Sequence, residues 1–204
     1  MRLVFAMLAC LVLAQCATRD EDRPFRVGED PGAYVIIGVA EAASNTSPRY
    51  TMLWRRLGPD GQFMRYGGGR IFEVRTQSGG IQVPGIPGEF MMSEIEPGEY
   101  ALDSVFAVIR DGGVNYIANG VVKGPERPAF TVQPGEAVYI GIWETNLEEV
   151  VAVTQRWRLD QSDLDAAVRR ANPVVGQVRL METYTRSVPC APYRINNVSQ
   201  RQVC

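Results

Sequence analysis

Ile95-Glu96-Pro97-Gly98-Glu99-Tyr100-Ala101-Leu102 puts turn chemistry and a strand start into eight residues. Proline presets φ for the first central position of a β-turn, and glycine accepts the positive φ that a type II turn needs at the second. The same tripeptide recurs at Pro87-Gly88-Glu89 and Pro134-Gly135-Glu136. Each copy precedes an apolar segment: Phe90-Met91-Met92, the run from Tyr100 to Ile109, and residues 137–143. Short apolar runs bounded by turn signals are the pattern of buried strands rather than helices. Each Pro-Gly-Glu is therefore predicted to deliver the chain into a strand.

Outward from this centre the same reading continues. Residues 105–110 and 114–118 flank Asp111-Gly112-Gly113 as a hairpin. Upstream, Tyr34-Val35-Ile36-Ile37-Gly38-Val39-Ala40 opens a strand over 33–43, and residues 50–57 form the next. Gly58-Pro59-Asp60-Gly61 is a turn, after which residues 62–66 are expected to return as a hairpin partner. Residues 70–76 alternate, with Ile71, Glu73 and Arg75 on one face and Phe72 and Val74 on the other. Downstream, residues 129–132, 150–157 and 174–184 complete the strands. One helix is expected near 162–171: Ser162 caps it, Asp163 and Asp165 suit its positive end, Arg169 and Arg170 its negative end, and Asn172-Pro173 stops it. Nine or ten strands with regular turn signals predict a mainly β domain, an antiparallel β-sandwich with one C-terminal helix, over residues 34–184.

The segment 95–102 resembles a recurrent hairpin of prealbumin-like sandwiches, among them the carboxypeptidase regulatory modules. Phe130-Thr131-Val132-Gln133-Pro134-Gly135-Glu136-Ala137-Val138-Tyr139-Ile140-Gly141 resembles the closing strands of that unit. The likeness spans residues 83–145 and implies a fold, since such domains host many roles.

The N-terminus reads separately. Arg2 precedes a twelve-residue apolar run from Leu3 to Ala14, too short for the roughly 20 residues a bilayer span needs and suited to a secretory signal over 1–15. Leu13-Ala14-Gln15-Cys16 resembles a lipobox, the cleavage motif of bacterial lipoproteins, with Gln15 where glycine, alanine or serine is usual. The resemblance implies acylation of Cys16 and anchoring to a membrane; Ala17 in place of aspartate implies the outer membrane, with the protein facing the periplasm. The alternative is an ordinary cleavable signal and a soluble secreted product. Residues 16–33 then form a lipidated start and polar tether.

Composition narrows the chemistry. The 204 residues contain no histidine, one lysine (Lys123) and 20 arginines, which removes every Ser-His or Cys-His pairing and the commonest zinc ligand. Arg2 is the one charge before Cys16, so the chain from Cys16 carries 20 basic and 23 acidic residues, net −3, with no basic stripe for nucleic acid. Cys10 leaves with the signal and Cys16 takes lipid, so Cys190 and Cys204 remain in the polar tail 185–204. In an oxidising compartment an even pair reads as a disulfide; two cysteines without histidine are a poor zinc set. No cofactor motif is present: Gly67-Gly68-Gly69-Arg70 lacks the Walker lysine and serine. Trp54, Trp143 and Trp157 either anchor the core or form an exposed platform for a sugar or protein, with Arg55, Arg56, Arg156 and Arg158 beside them. Acid pairs Glu148/Glu149 and Glu94/Glu96 leave open a hydrolase working with carboxylates alone. Asn45-Thr46-Ser47 and Asn197-Val198-Ser199 match glycosylation sequons, which the bacterial context implied by the lipobox resemblance discounts. The expectation is a non-catalytic, lipid-anchored envelope protein that contacts a protein or glycan.

Overall fold

The computed structural model describes residues 23–42, 47–122, 124–197 and 200–204. The signal, the lipidation position Cys16 and parts of both sequons lie outside the described residues. The strands are β1 (Phe25–Arg26), β2 (Ala33–Glu41), β3 (Arg49–Arg56), β4 (Ile71–Arg75), β5 (Glu89–Ile95), β6 (Gly98–Asp111), β7 (Val114–Val121) and β8 (Glu126–Val132). They continue with β9 (Ala137–Glu148), β10 (Val151–Arg158), helix α1 (Gln161–Ala171), β11 (Val174–Val175), β12 (Arg179–Leu180), β13 (Tyr184–Ser187), β14 (Tyr193–Arg194) and β15 (Gln202–Val203).

Two sheets form a β-sandwich. One has the order β10-β9-β2-β5, with β12 beside β9; the other has the order β13-β8-β6-β3-β4, with β7 beside β6. Alternate residues of each strand meet between the sheets. Trp54 of β3 packs edge-on against Trp143 of β9 at 5.2 Å and against Phe130 of β8 at 5.4 Å. Around them lie Val35, Ile37, Met52, Tyr100 and Val105, all buried.

The outer face of the β9 sheet is covered by α1, whose Leu164 and Ala167 pack on Ile36, Phe90, Tyr139 and Ile142. Asp160, not Ser162, caps the helix: its carboxylate accepts from the Ser162 N–H at 2.7 Å. Asn172 ends it in the left-handed conformation at φ +47°, its N–H donating to the Val168 carbonyl at 2.7 Å.

The Pro-Gly-Glu turns lead into β5, β6 and β9 as predicted. Gly88 and Gly135 have φ of +82° and +74°, the type II value, whereas Gly98 at +152° starts β6 itself. Gly88 is required for a second reason: a Cβ there would lie 1.9 Å from the Val39 carbonyl oxygen.

Besides the cap, three expectations are corrected. Residues 62–66 return after the turn only over Gln62 to Met64: an antiparallel Leu57↔Phe63 bridge is flanked by the Gly58 N–H on the Gln62 carbonyl (2.8 Å) and the Met64 N–H on the Arg56 carbonyl (3.0 Å), and it is β4 that forms the longer ladder with β3. Residues 174–184 are broken by Gly176 at φ +114° into β11 and β12. Residues 25–33 are not all tether, because Phe25 packs on Ala137 and Val174, and β1 pairs with β11. The tail 185–204, polar in sequence, is seated on the sandwich: β13 extends the β6 sheet through β8, and Val188 and Val203 are fully buried.

Candidate functional site

Strand β6 is too long for one neighbour. Its residues Gly98 to Ala101 pair with β8 and Ser104 to Asp111 with β7, so the edge forks at Leu102 and Asp103. On the other side, the register with β3 shifts between Leu53 and Trp54, which oppose Ser104 and Leu102 and leave Asp103 as the extra residue of a β-bulge. The fork therefore presents different chemistry to the two faces of the sheet.

On the inner face it opens a cleft of about 490 Å³ between the sheets. Its floor is Leu102, Val105 and Ala152, all of them core residues, and Val122, Pro128 and Val151 line its sides. Glu148 and Glu149 stand at its rim, where the β9–β10 hairpin turns. The edges of the two sheets meet closely beside it: a Cβ at Gly120 of β7 would sit 1.7 Å from the Ala152 carbonyl oxygen of β10. The cleft has the size and the aliphatic lining of a ligand or side-chain pocket.

On the outer face lies a sealed charged cluster. Arg55 and Arg127 are 2% and 1% exposed and Asp103 is fully buried. Asp103 Oδ2 lies 3.1 Å from Arg55 Nη1. Arg127 fills the fork: Nη1 donates to the carbonyls of Leu102 (3.2 Å) and Asp103 (3.0 Å), Nη2 to Val122 (3.1 Å), and Nε to Val188 (3.3 Å). A planar guanidinium with five donors can satisfy carbonyls that the two departing strands leave unpaired; an ammonium has three donors and no fork geometry. The Phe63 ring lies over both guanidiniums, 4.5 Å from that of Arg55 and 5.4 Å from that of Arg127. Burial pushes the Asp103 carboxyl up, against the pull of Arg55, and burial lowers Arg127.

The tail closes this cluster. The Cys204 N–H donates to Asp103 Oδ1 at 2.8 Å, and Arg55 Nη2 donates to the Cys204 main-chain oxygen at 2.7 Å. Asn119 grips the tail twice, donating to the Gln200 carbonyl and accepting from the Gln202 N–H, each at 3.0 Å. Cys190 and Cys204 form a disulfide with Cα atoms 4.8 Å apart, inside the expected range.

The three tryptophans are not brought together on a surface. Trp54 and Trp143 are core residues at 0% and 2% exposure, and the Trp143 Nε1–H donates to the Ile140 carbonyl at 3.1 Å. Trp157 alone is exposed, at 46%, beneath the Arg158 guanidinium. The arginines read beside them are engaged: Arg55 with Asp103, Arg56 with Glu96, Arg156 with Glu182, and Arg158 with Asp163. Glu148 and Glu149 form a hairpin tip rather than an enclosed pair. Asp103 and Arg127 were not singled out from sequence. Their signal is a charge inside an apolar strand, in Ala101-Leu102-Asp103-Ser104-Val105 and Arg127-Pro128-Ala129-Phe130.

In comparisons with known proteins, no family model, no curated protein and no solved structure matches this chain.

Proposed function

We propose that this chain is a lipid-anchored envelope protein whose sandwich serves, without catalysis, as a docking module for a partner protein. The anchoring half of the reading rests on Leu13-Ala14-Gln15-Cys16 and the apolar run before it. The docking half rests on one observation, the aliphatic cleft between the sheets with its floor of Leu102, Val105 and Ala152. Aliphatic walls suit the apolar side chains of another protein. A sugar platform needs exposed aromatic faces, and two of the three tryptophans are committed to the core. The protein partner is therefore favoured over the glycan.

The test is a photoreactive residue placed at Val153, beside the cleft, in the full chain in intact cells, with a second at exposed Val175 as control. A discrete cross-linked protein from position 153 and none from 175, lost when Val151→Arg fills the cleft, is the expected result. Equal cross-linking from both positions contradicts docking at the cleft.

A further inference from the structure

The segment from Gln200 to Cys204 lies against the outer face of the β6 sheet, and three side chains hold it by its main chain. Asn119 of β7 donates to the Gln200 carbonyl and accepts from the Gln202 N–H, each at 3.0 Å. Asp103 of β6 accepts from the Cys204 N–H at 2.8 Å, and Arg55 of β3 donates to the Cys204 main-chain oxygen at 2.7 Å. Residues 200, 202 and 204 are therefore read along one edge of the segment. The other edge belongs to β14: the Arg201 carbonyl accepts from the Ile195 N–H at 3.2 Å, and Val203 is paired with Tyr193. An extended chain presents its main-chain groups to two edges in this alternating way. Asn119, Asp103 and Arg55, drawn from three strands, thus do for β15 what a neighbouring strand would do.

Two side chains of the segment are also read. Val203 is fully buried, and the Arg201 guanidinium lies 4.7 Å from the centre of the Phe106 ring. Gln200 and Gln202 are exposed. Main-chain bonds at every second residue, with a place for a cation and one for a small aliphatic side chain two residues later, are the means by which proteins recognise an extended peptide. The tail is moreover held twice over. Its bridge to Cys190 moors Cys204 two residues from Val188, which is fully buried and whose N–H donates to the Pro125 carbonyl at 2.7 Å. A buried Asp–Arg pair adds little to a segment already fixed by a covalent bond, because desolvation offsets most of its attraction. The pair suits a peptide unit that can leave, with one group for the N–H and one for the carbonyl.

We propose that Asn119, Asp103 and Arg55 form a groove for an extended segment of a partner protein, that the tail fills this groove in cis, and that reduction of Cys190–Cys204 by a dithiol opens it. One thiolate of the dithiol attacks a bridge sulfur, and its second thiol resolves the mixed disulfide. Two electrons and two protons pass to the cysteines, which become thiols while the dithiol becomes a disulfide. Both cysteines are half-buried rather than sealed. The bridge spans a separation of 14 residues, and closing a loop of that length holds the tail in place about a hundredfold more firmly. The groove lies on the opposite face of its sheet from the docking cleft, and it rests on neither that cleft nor the lipid anchor.

The full chain in uncharged detergent is titrated with a fluorescent peptide, Gln-Arg-Gln-Val-Ser, and binding is read as anisotropy before and after treatment with dithiothreitol. Saturable binding, at least about tenfold tighter after reduction, is the expected result. Asn119→Ala removes two main-chain contacts and should weaken binding about tenfold. The peptide Gln-Ser-Gln-Asp-Ser should not bind. Val203→Asp, which dislodges the tail, should tighten binding of the first peptide while the amides of β2 and β9 stay protected; a tail with a structural role alone gives no such gain. Arg169→Gln on the helix should leave binding unchanged. Equal binding before and after reduction, equal binding of the two peptides, binding unmoved by Asn119→Ala, or no binding to either the reduced or the Val203→Asp protein overturns the proposal.

Discussion

Tyr100 shows how much one side chain of the opening stretch carries. Its ring stacks on Phe130 at 5.5 Å, and its hydroxyl donates to the Glu96 carbonyl at 2.8 Å, locking the Pro97-Gly98 turn from inside. Burial pushes this hydroxyl up to about 12. Since the folded value lies above the ordinary one of about 10, the protonated group contributes stability that is complete below pH ~10 and is lost as the pH rises through ~12. Alkaline unfolding should therefore be steeper in the wild type than in Tyr100→Phe between those values, while at neutral pH the variant loses about 1 kcal/mol. Identical pH profiles for the two proteins would remove the tyrosine from this role. Asp103 gives a stronger test. Asp103→Ala leaves Arg55 buried without its carboxylate, and chemical denaturation should register a loss of about 3–5 kcal/mol.

At the scale of elements, the glutamates of the three Pro-Gly-Glu turns each hold a segment outside their own turn. Glu89 accepts from the Ser78 N–H at 3.1 Å and the Gly80 N–H at 2.5 Å. Glu99 accepts from the Tyr184 hydroxyl at 2.8 Å and pairs with Arg186 at 3.2 Å, fixing β13. Glu136 accepts from the Gln133 N–H within its own turn and from Arg179 Nε of β12, both at 2.9 Å. The turns were legible because proline and glycine act locally; the glutamate partners were not, because they come from long-range pairing. Gly88→Ala should cost at least about 2 kcal/mol, read as a lower denaturation midpoint, since the β2 backbone leaves no room for a methyl group. The seating of the tail was not legible for a related reason. Its sequence is polar, but two valines, Val188 and Val203, suffice to seat it on the β6 sheet. Cys204→Ser should lower stability by about 3 kcal/mol. It should also speed amide exchange at Gln202 and Asn119 while β2 and β9 stay protected; uniform deprotection across the sandwich would contradict a separable strap.

For the whole molecule, the mainly β sandwich with its helix followed from turn spacing, alternation and caps. The cleft and the charged cluster did not, because both arise from the fork in β6, and a fork is a property of register among β3, β6, β7 and β8. Aromatic residues in apolar strands read equally as core or platform until the sheets are stacked. Trp54 and Trp143 then meet in the middle, and only Trp157 stays outside. The missing histidines and the lipobox-like start remain statements of the sequence, and they shape the functional reading more than any cavity does. That reading places the sandwich on a membrane through Cys16, with the cleft free to receive a protein. Mass analysis of the mature N-terminus from cells fed a fatty-acid analogue tests it most directly. The account predicts a mature chain that begins at an acylated Cys16 in the wild type and no label in Cys16→Ser; an unmodified N-terminus at Ala17, or equal label in both, would contradict it.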